Sequence, residues 1–185
     1  MGSGKSTVAR MLGSFGAKII DADKIAHRII QPGTPVFKKL IRVFGKNILK
    51  KGKIDRNKLG KLVFNNKGWL RKLNKIMHPR IIKKIKNQIK SSSRKIIVLD
   101  APLLIEAGLK GLVDKLIVVK SIRKKQIKRL LKKTAFTKKN IFKIINTQIP
   151  LKNKVRVADF VIDNSKAKKE TRKQVRQIRR LLWKS

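Results

Sequence analysis

The chain has 185 residues, 41% of them hydrophobic, and its 51 Lys plus Arg against 9 Asp plus Glu give a formal net charge of +42. That length supports one domain with a sizeable core and room for a small inserted lobe. The lack of cysteine excludes disulfides, thiolate catalysis and zinc-thiolate sites, and runs such as Ile96-Ile97-Val98-Leu99 are far shorter than the roughly 18 apolar residues of a membrane helix.

In chain order, the sequence opens on Met1-Gly2-Ser3-Gly4-Lys5-Ser6-Thr7, the back half of a phosphate-binding loop of the form G-x-x-x-x-G-K-[S/T]. The glycines of such a loop let backbone N–H groups close around phosphate oxygens, and the helix that follows adds the positive end of its dipole. Val8, Met11 and Leu12 follow at helical spacing, so a helix is predicted directly after the lysine. The first glycine of the loop and its preceding strand are expected upstream of Met1. Gly13 and Gly16 then lead into a short strand over 17–20, which ends at Asp21-Ala22-Asp23. Between Ile25 and Ser93 the pattern is helical throughout, with breaks predicted at Gln31-Pro32-Gly33, Lys51-Gly52, Asn65-Asn66 and His78-Pro79. Strands are predicted over 95–99, closing at Asp100, over 115–119 and over 160–162. A second helical stretch spans 121–152 and ends at Pro150. A last amphipathic helix over 165–183 presents Val175, Ile178, Leu181 and Leu182 as its apolar face. Strands alternating with helices predict an α/β chain with a doubly wound parallel sheet and a site at the strand C-termini.

A charge of +42 attracts any polyanion. The bases are spread through every segment, however, and neither an aromatic RNA-binding signature nor a zinc-finger spacing accompanies them. Compositional drift toward Lys, Ile and Asn accounts for the excess, and no specific nucleic-acid partner is expected. The opening residues are glycine and serine rather than an apolar run, so no secretory signal is read.

Scarce acids are informative in so basic a chain. Asp21 and Asp23 lie two apart at a strand end; if strand geometry persists, their side chains share a face about 7 Å apart. One of them can accept the proton of an acceptor hydroxyl during phosphoryl transfer, and Asp23 is the candidate base. The alternative is that Asp21 caps a helix starting near Ala22 and Asp23 sits in its first turn. Lys5 is placed to reach the β- and γ-phosphates of a nucleotide, Ser6 to ligate Mg²⁺, and Thr7 with the backbone to hold the α- and β-phosphates. Asp100 ends a buried strand, where kinases put a carboxylate near Mg²⁺ or substrate; a plain strand-end turn is the alternative. Arg129, in the basic second excursion, can fold over the γ-phosphate. His78 precedes Pro79, which predicts an extended backbone there, and a lone histidine is more often packing than catalysis.

Taken in order, these pieces resemble the dephospho-coenzyme A kinase family along nearly the whole chain. The resemblance rests on Gly2 to Thr7, Asp21-Ala22-Asp23, Pro32-Gly33, Ile54-Asp55-Arg56 with Leu59, Val63-Phe64 and His78-Pro79. It continues in Asp100-Ala101-Pro102-Leu103-Leu104 with Glu106 and in Ala158-Asp159 with Val161-Ile162-Asp163-Asn164. It implies a three-layer P-loop kinase fold in a single domain over 1–185, with a helical substrate-binding insertion at about 28–92 and a lid at about 121–152. It also implies that the first central strand of the parallel sheet is missing from this sequence, leaving its neighbours with unpaired edges.

The activity implied is transfer of the ATP γ-phosphoryl to the ribose 3′-hydroxyl of dephospho-coenzyme A, with Mg²⁺, in the cytoplasm and as a monomer. Asp23 is then the base, Lys5 and Arg129 (the lid arginine) complete the catalytic set, Ser6 is the metal ligand, and Gly2, Ser3, Gly4, Lys5, Ser6, Thr7 and Asn164 meet ATP, Asn164 near the adenine. Asp21, Asp55, Arg56, His78, Asp100, Pro102 and Leu103 are the implied contacts to dephospho-coenzyme A. One departure is Lys133-Thr134, where the family's lid commonly carries Arg-Asp. Two rival readings stay open: another small-molecule P-loop kinase, for a nucleoside or nucleotide, and a non-catalytic remnant or basic nucleic-acid-binding protein on the same fold.

Overall fold

The helix after the half loop forms for the reason its spacing suggests. Val8, Ala9, Met11 and Leu12 are buried along one side of α1 (Lys5–Gly13), and Gly4 enters it in the left-handed conformation at φ 97°, which only glycine adopts without cost. The structure is a computed structural model describing residues 2–64, 66–102, 104–133, 137, 141, 142, 145 and 148–183. Its contacts gather into two compact units: the residues up to Ile20 together with those from Ser93 onward, and Asp21–Ser92.

In the first unit, β1 (Lys18–Asp21) pairs with β4 (Ile97–Asp100), and β5 (Ile117–Lys120) pairs with β6 (Phe160–Asp163). The second pair is parallel, with Ile117 opposite Phe160 and Lys120 opposite Asp163. Among the described residues β4 and β5 do not pair with each other, so the strands form two short ladders. The two ladders nevertheless share their cores. Val8, Met11 and Leu12 of α1 pack with Val119, Ile162, Val175 and Ile178, and Ile96, Val98 and Ile117 border that cluster. On the opposite strand faces Leu104, Leu116 and Val118 pack with Leu99 and Ala101. The period-two alternation of β5 thus fills two cores at once, as in a sheet covered on both faces. Helix α6 (Arg123–Lys133) follows β5, α7 (Leu151–Arg156) precedes β6, and α8 (Lys168–Leu182) closes the unit. Much of the segment between α6 and α7, including Thr134 of the departure noted above, lies outside the described residues.

The second unit holds α2 (Ala22–Ile29), α3 (Pro35–Phe44), the strands β2 (Leu49–Lys50) and β3 (Lys53–Ile54), α4 (Arg56–Phe64) and α5 (Lys67–Lys90). Helix α5 packs against α2, α3 and α4, and the Phe44 and Trp69 rings meet at 5.2 Å between centroids.

Several expectations need correction. The stretch from 25 to 93 is not helical throughout: Lys51 and Gly52, at φ 50° and 72°, form the two-residue turn of an antiparallel hairpin pairing Leu49 with Ile54. Positive φ at both turn residues suits the right-handed twist of the flanking strands. His78-Pro79 does not break the chain, because α5 runs straight through Pro79. His78 is therefore helical rather than extended. Proline fixes φ near a helical value and removes one N–H, so the cost is the partner of the Lys75 carbonyl, and packing of Ile76 and Ile85 into the core on either side outweighs it. Helix α7 continues to Arg156, past the predicted end at 152, because Pro150 is its N-cap rather than a terminator. In α8 the apolar face includes Thr171, Val175 and Ile178, whereas Leu181 is 59% exposed.

Candidate active site

The half loop is held from its carbonyl side. Asn164, at the end of β6, donates from Nδ2 to the Ser3 carbonyl at 2.7 Å. Its Oδ1 accepts from the Thr171 hydroxyl at 2.9 Å, which fixes the amide's orientation, because a carbonyl can only accept and so must face the nitrogen. Arg129 on α6 donates to the carbonyls of Gly2, Ser3 and Asn164 at 3.5, 3.2 and 3.2 Å and to Ser121 Oγ at 3.4 Å. The guanidinium sought over the γ-phosphate is thus directed at backbone oxygens of the loop. Gly4 leaves no alternative to glycine: a Cβ there falls 1.9 Å from Asn164 Nδ2.

The loop carrying Asn164 is braced in turn. Gln174 on α8 accepts from the Asp163 N–H at 2.8 Å and donates to the Asp163 carbonyl at 2.9 Å. Ser165 N–H and hydroxyl, with Lys120 beside them, hold the Asp163 carboxyl below its usual range. At the other end of the strand the Leu116 N–H donates to Asp159 at 2.7 Å and holds that carboxyl low as well.

Ser3 and Lys5 also line a cavity of about 540 Å³. Its wall includes the consecutive residues Leu116, Ile117, Val118 and Val119. Neighbouring strand residues point to opposite faces, so this cavity runs along the strand edge of β5 not used by β6. Pro102, a predicted substrate contact, lies on the same wall, as do Glu106 and Lys154, which form an ion pair.

The other candidates take these places. Ser6 is exposed and Thr7 half-buried in the first turn of α1, and Asp100, half-buried, is the last residue of β4. In the second unit Asp21 is the N-cap of α2, accepting from Lys24 N–H at 2.9 Å, and Asp23 is exposed in the first helical turn. The shared strand face about 7 Å across does not form, because the chain turns helical at Ala22 once Asp21 satisfies an orphan N–H. Asp55 has the same capping role for α4, accepting from Asn57 and Lys58 N–H, with the Lys58 N–H foremost in lowering its pKa. Arg56 is exposed in the first turn of α4, and His78 is half-buried in α5. Leu103 lies outside the described residues. Sequence reasoning missed Thr171 and Gln174. The signal for Thr171 was present: a hydroxyl at the first position of a stripe that continues through Val175 and Ile178, fully buried, requires a partner.

The family model described as "CoaE: Dephospho-CoA kinase" matches residues 1–170. The dephospho-CoA kinase of Carboxydothermus hydrogenoformans is 48% identical over 180 residues, covering 95% of this chain and 87% of that protein; that of Geobacillus kaustophilus is 41% identical, covering 95% and 90%. Among solved structures, the dephospho-CoA kinase from Campylobacter jejuni superimposes with a TM-score of 0.71 at 31% identity, covering 100% of this chain and 94% of that one. The Thermus thermophilus protein TT1252 does so with a TM-score of 0.87 at 25% identity, covering 100% and 93%. A match of this extent, on a chain whose half loop opens a helix beside parallel strands, shows that the protein belongs to the dephospho-coenzyme A kinase family.

Proposed function

We propose that this protein transfers the γ-phosphoryl group of ATP to the ribose 3′-hydroxyl of dephospho-coenzyme A, yielding coenzyme A and ADP. The observation that carries the reading is the Gly2–Thr7 loop, bent through two left-handed glycines into the N-terminus of α1, in a chain of this family. Backbone N–H groups there and the helix dipole suit phosphate oxygens. Lys5 supplies the charge for the β- and γ-phosphates, and Thr7 with the loop backbone holds the α- and β-phosphates. Asp23, an exposed carboxylate, takes the proton of the attacking hydroxyl. The remaining acceptor contacts are assigned to Asp21, Asp55, Arg56, His78, Asp100 and Pro102, and to Leu103 beyond the described residues.

Magnesium fits this chemistry. Ser6 offers a hard oxygen, and among the described residues no three His, Cys, Asp or Glu side chains cluster as metal ligands. A Mg²⁺ ion there would be held by Ser6 and phosphate oxygens, its ordinary manner with nucleotides, and would neutralise phosphate charge. Both substrates are charged and water-soluble, and none of the described helices is long and apolar enough to cross a membrane; we place the reaction in the cytoplasm.

The test is coupled-assay turnover with ATP, dephospho-coenzyme A and a panel of nucleosides and nucleotides. Dephospho-coenzyme A is expected to be the preferred acceptor. Asp23→Asn should lower kcat by about 10² or more while leaving the KM for ATP near that of the parent. Turnover of a nucleoside but not of dephospho-coenzyme A sinks the proposal.

A further inference from the structure

We infer that Asn164, fixed by the buried hydroxyl of Thr171, is a positioning residue for the phosphates of the nucleotide, acting through the loop backbone and not by contact with adenine. The inference rests on the proposed use of Gly2–Thr7 as the nucleotide loop. A trans peptide is planar, so its C=O and N–H point in opposite directions, and the described peptides are all trans. Asn164 Nδ2 and Arg129 draw the Ser3 carbonyl to one side, which turns the Gly4 N–H to the other. Arg129 does the same to the Gly2 carbonyl, turning out the Ser3 N–H. Successive N–H groups presented in this way form a concavity for an anion. The clamp and the concavity are two sides of the same peptide planes.

Asn164 is committed to the loop, with little of its amide within reach of a base. One Nδ2 hydrogen is given to Ser3 and one Oδ1 lone pair to Thr171, and the residue is 7% exposed, so its remaining hydrogen and lone pair are shielded from a ligand. Thr171 is fully buried on α8, four residues before Val175, so its hydroxyl is set by core packing. Arg129 extends the clamp with bonds to four oxygens from three segments, which places its action on the loop as well.

Calorimetry with Asn164→Ala, Thr171→Val and Thr171→Ser, using ADP, pyrophosphate and adenosine as separate ligands, tests this. Losing one buried hydrogen bond from a preset loop is expected to weaken ADP and pyrophosphate together by about tenfold or more, leaving adenosine unchanged. Thr171→Val, which keeps the buried volume, should show part of the same loss, and Thr171→Ser should restore parental affinity. If Asn164→Ala does not fold, the Thr171 pair carries the comparison. Loss of adenosine affinity with pyrophosphate unaffected overturns the inference in favour of an adenine contact; unchanged ADP affinity in both Asn164→Ala and Thr171→Val overturns it outright. Failure of the parental protein to use dephospho-coenzyme A would count against the acceptor assignment while leaving the ADP and pyrophosphate comparison standing.

Discussion

Gly4 and Gly16 make a matched pair. Both have strongly positive φ, 97° and 96°, so an alanine at either position bears the same left-handed backbone cost of roughly 1–2 kcal/mol. They differ in what the added methyl meets: nothing within 4 Å at Gly16, but Asn164 Nδ2 at 1.9 Å at Gly4. Real Cβ atoms do not tolerate that approach, so Gly4→Ala must also expel the Asn164 amide from the Ser3 carbonyl. Gly16→Ala is expected to lower thermal stability modestly and bind ADP like the parent. Gly4→Ala should lose ADP affinity by tenfold or more and destabilise further, since a buried donor is left without its partner. Equal effects at the two sites in thermal unfolding and calorimetry would contradict the clash.

Among the elements, α5 states most plainly how packing overrides a local signal. Its Pro79 is interior and exposed, and proline inside a helix costs about 3 kcal/mol relative to alanine. Part of that is offset because proline also restricts the unfolded chain, by about 0.4–1 kcal/mol. Pro79→Ala is therefore expected to stabilise the Asp21–Ser92 unit by about 2 kcal/mol, a rise of roughly 8–16 °C in its unfolding midpoint; a fall in that midpoint would mean that Pro79 relieves a strain the helix cannot otherwise absorb. The same contrast explains what was legible in the sequence. Four sheet strands and the first and last helices stand where hydrophobic runs and glycine punctuation put them, within a residue or three. The half loop with its lysine was readable because its chemistry requires those residue types at that spacing. The hairpin at Lys51-Gly52 was not, since two-residue strands carry no periodicity. Capping by Asp21 was one of the two uses its position left open, whereas capping by Asp55, which follows a two-residue strand, was not read; each cap uses one carboxylate oxygen and leaves the other for the contact that the resemblance implies. The clamp on Ser3 joins positions 161 residues apart, and no local pattern signals a contact of that kind.

At the scale of the whole molecule the dominant fact is charge. Nine acids stand against 51 bases, and several of those acids are already used locally: Asp21 and Asp55 on helix N-termini, Asp159 on the start of β5, Glu106 with Lys154. A net charge of +42 repels itself most when the chain is compact. Added salt shortens the screening length from about 30 Å at 0.01 M to about 8 Å at 0.15 M, so long-range repulsion weakens while local pairs and caps persist. The unfolding midpoint is expected to rise by several degrees over that range of potassium chloride; a flat or falling midpoint would show that the charge is balanced locally. Ion identity then separates screening from binding. At matched ionic strength chloride acts only by screening, whereas pyrophosphate also binds the folded loop and stabilises it in proportion to RT ln(1 + [L]/Kd). An additional rise with pyrophosphate that disappears in Gly4→Ala, while the chloride response stays, would assign the extra stabilisation to the loop and the remainder to the charge of the molecule as a whole.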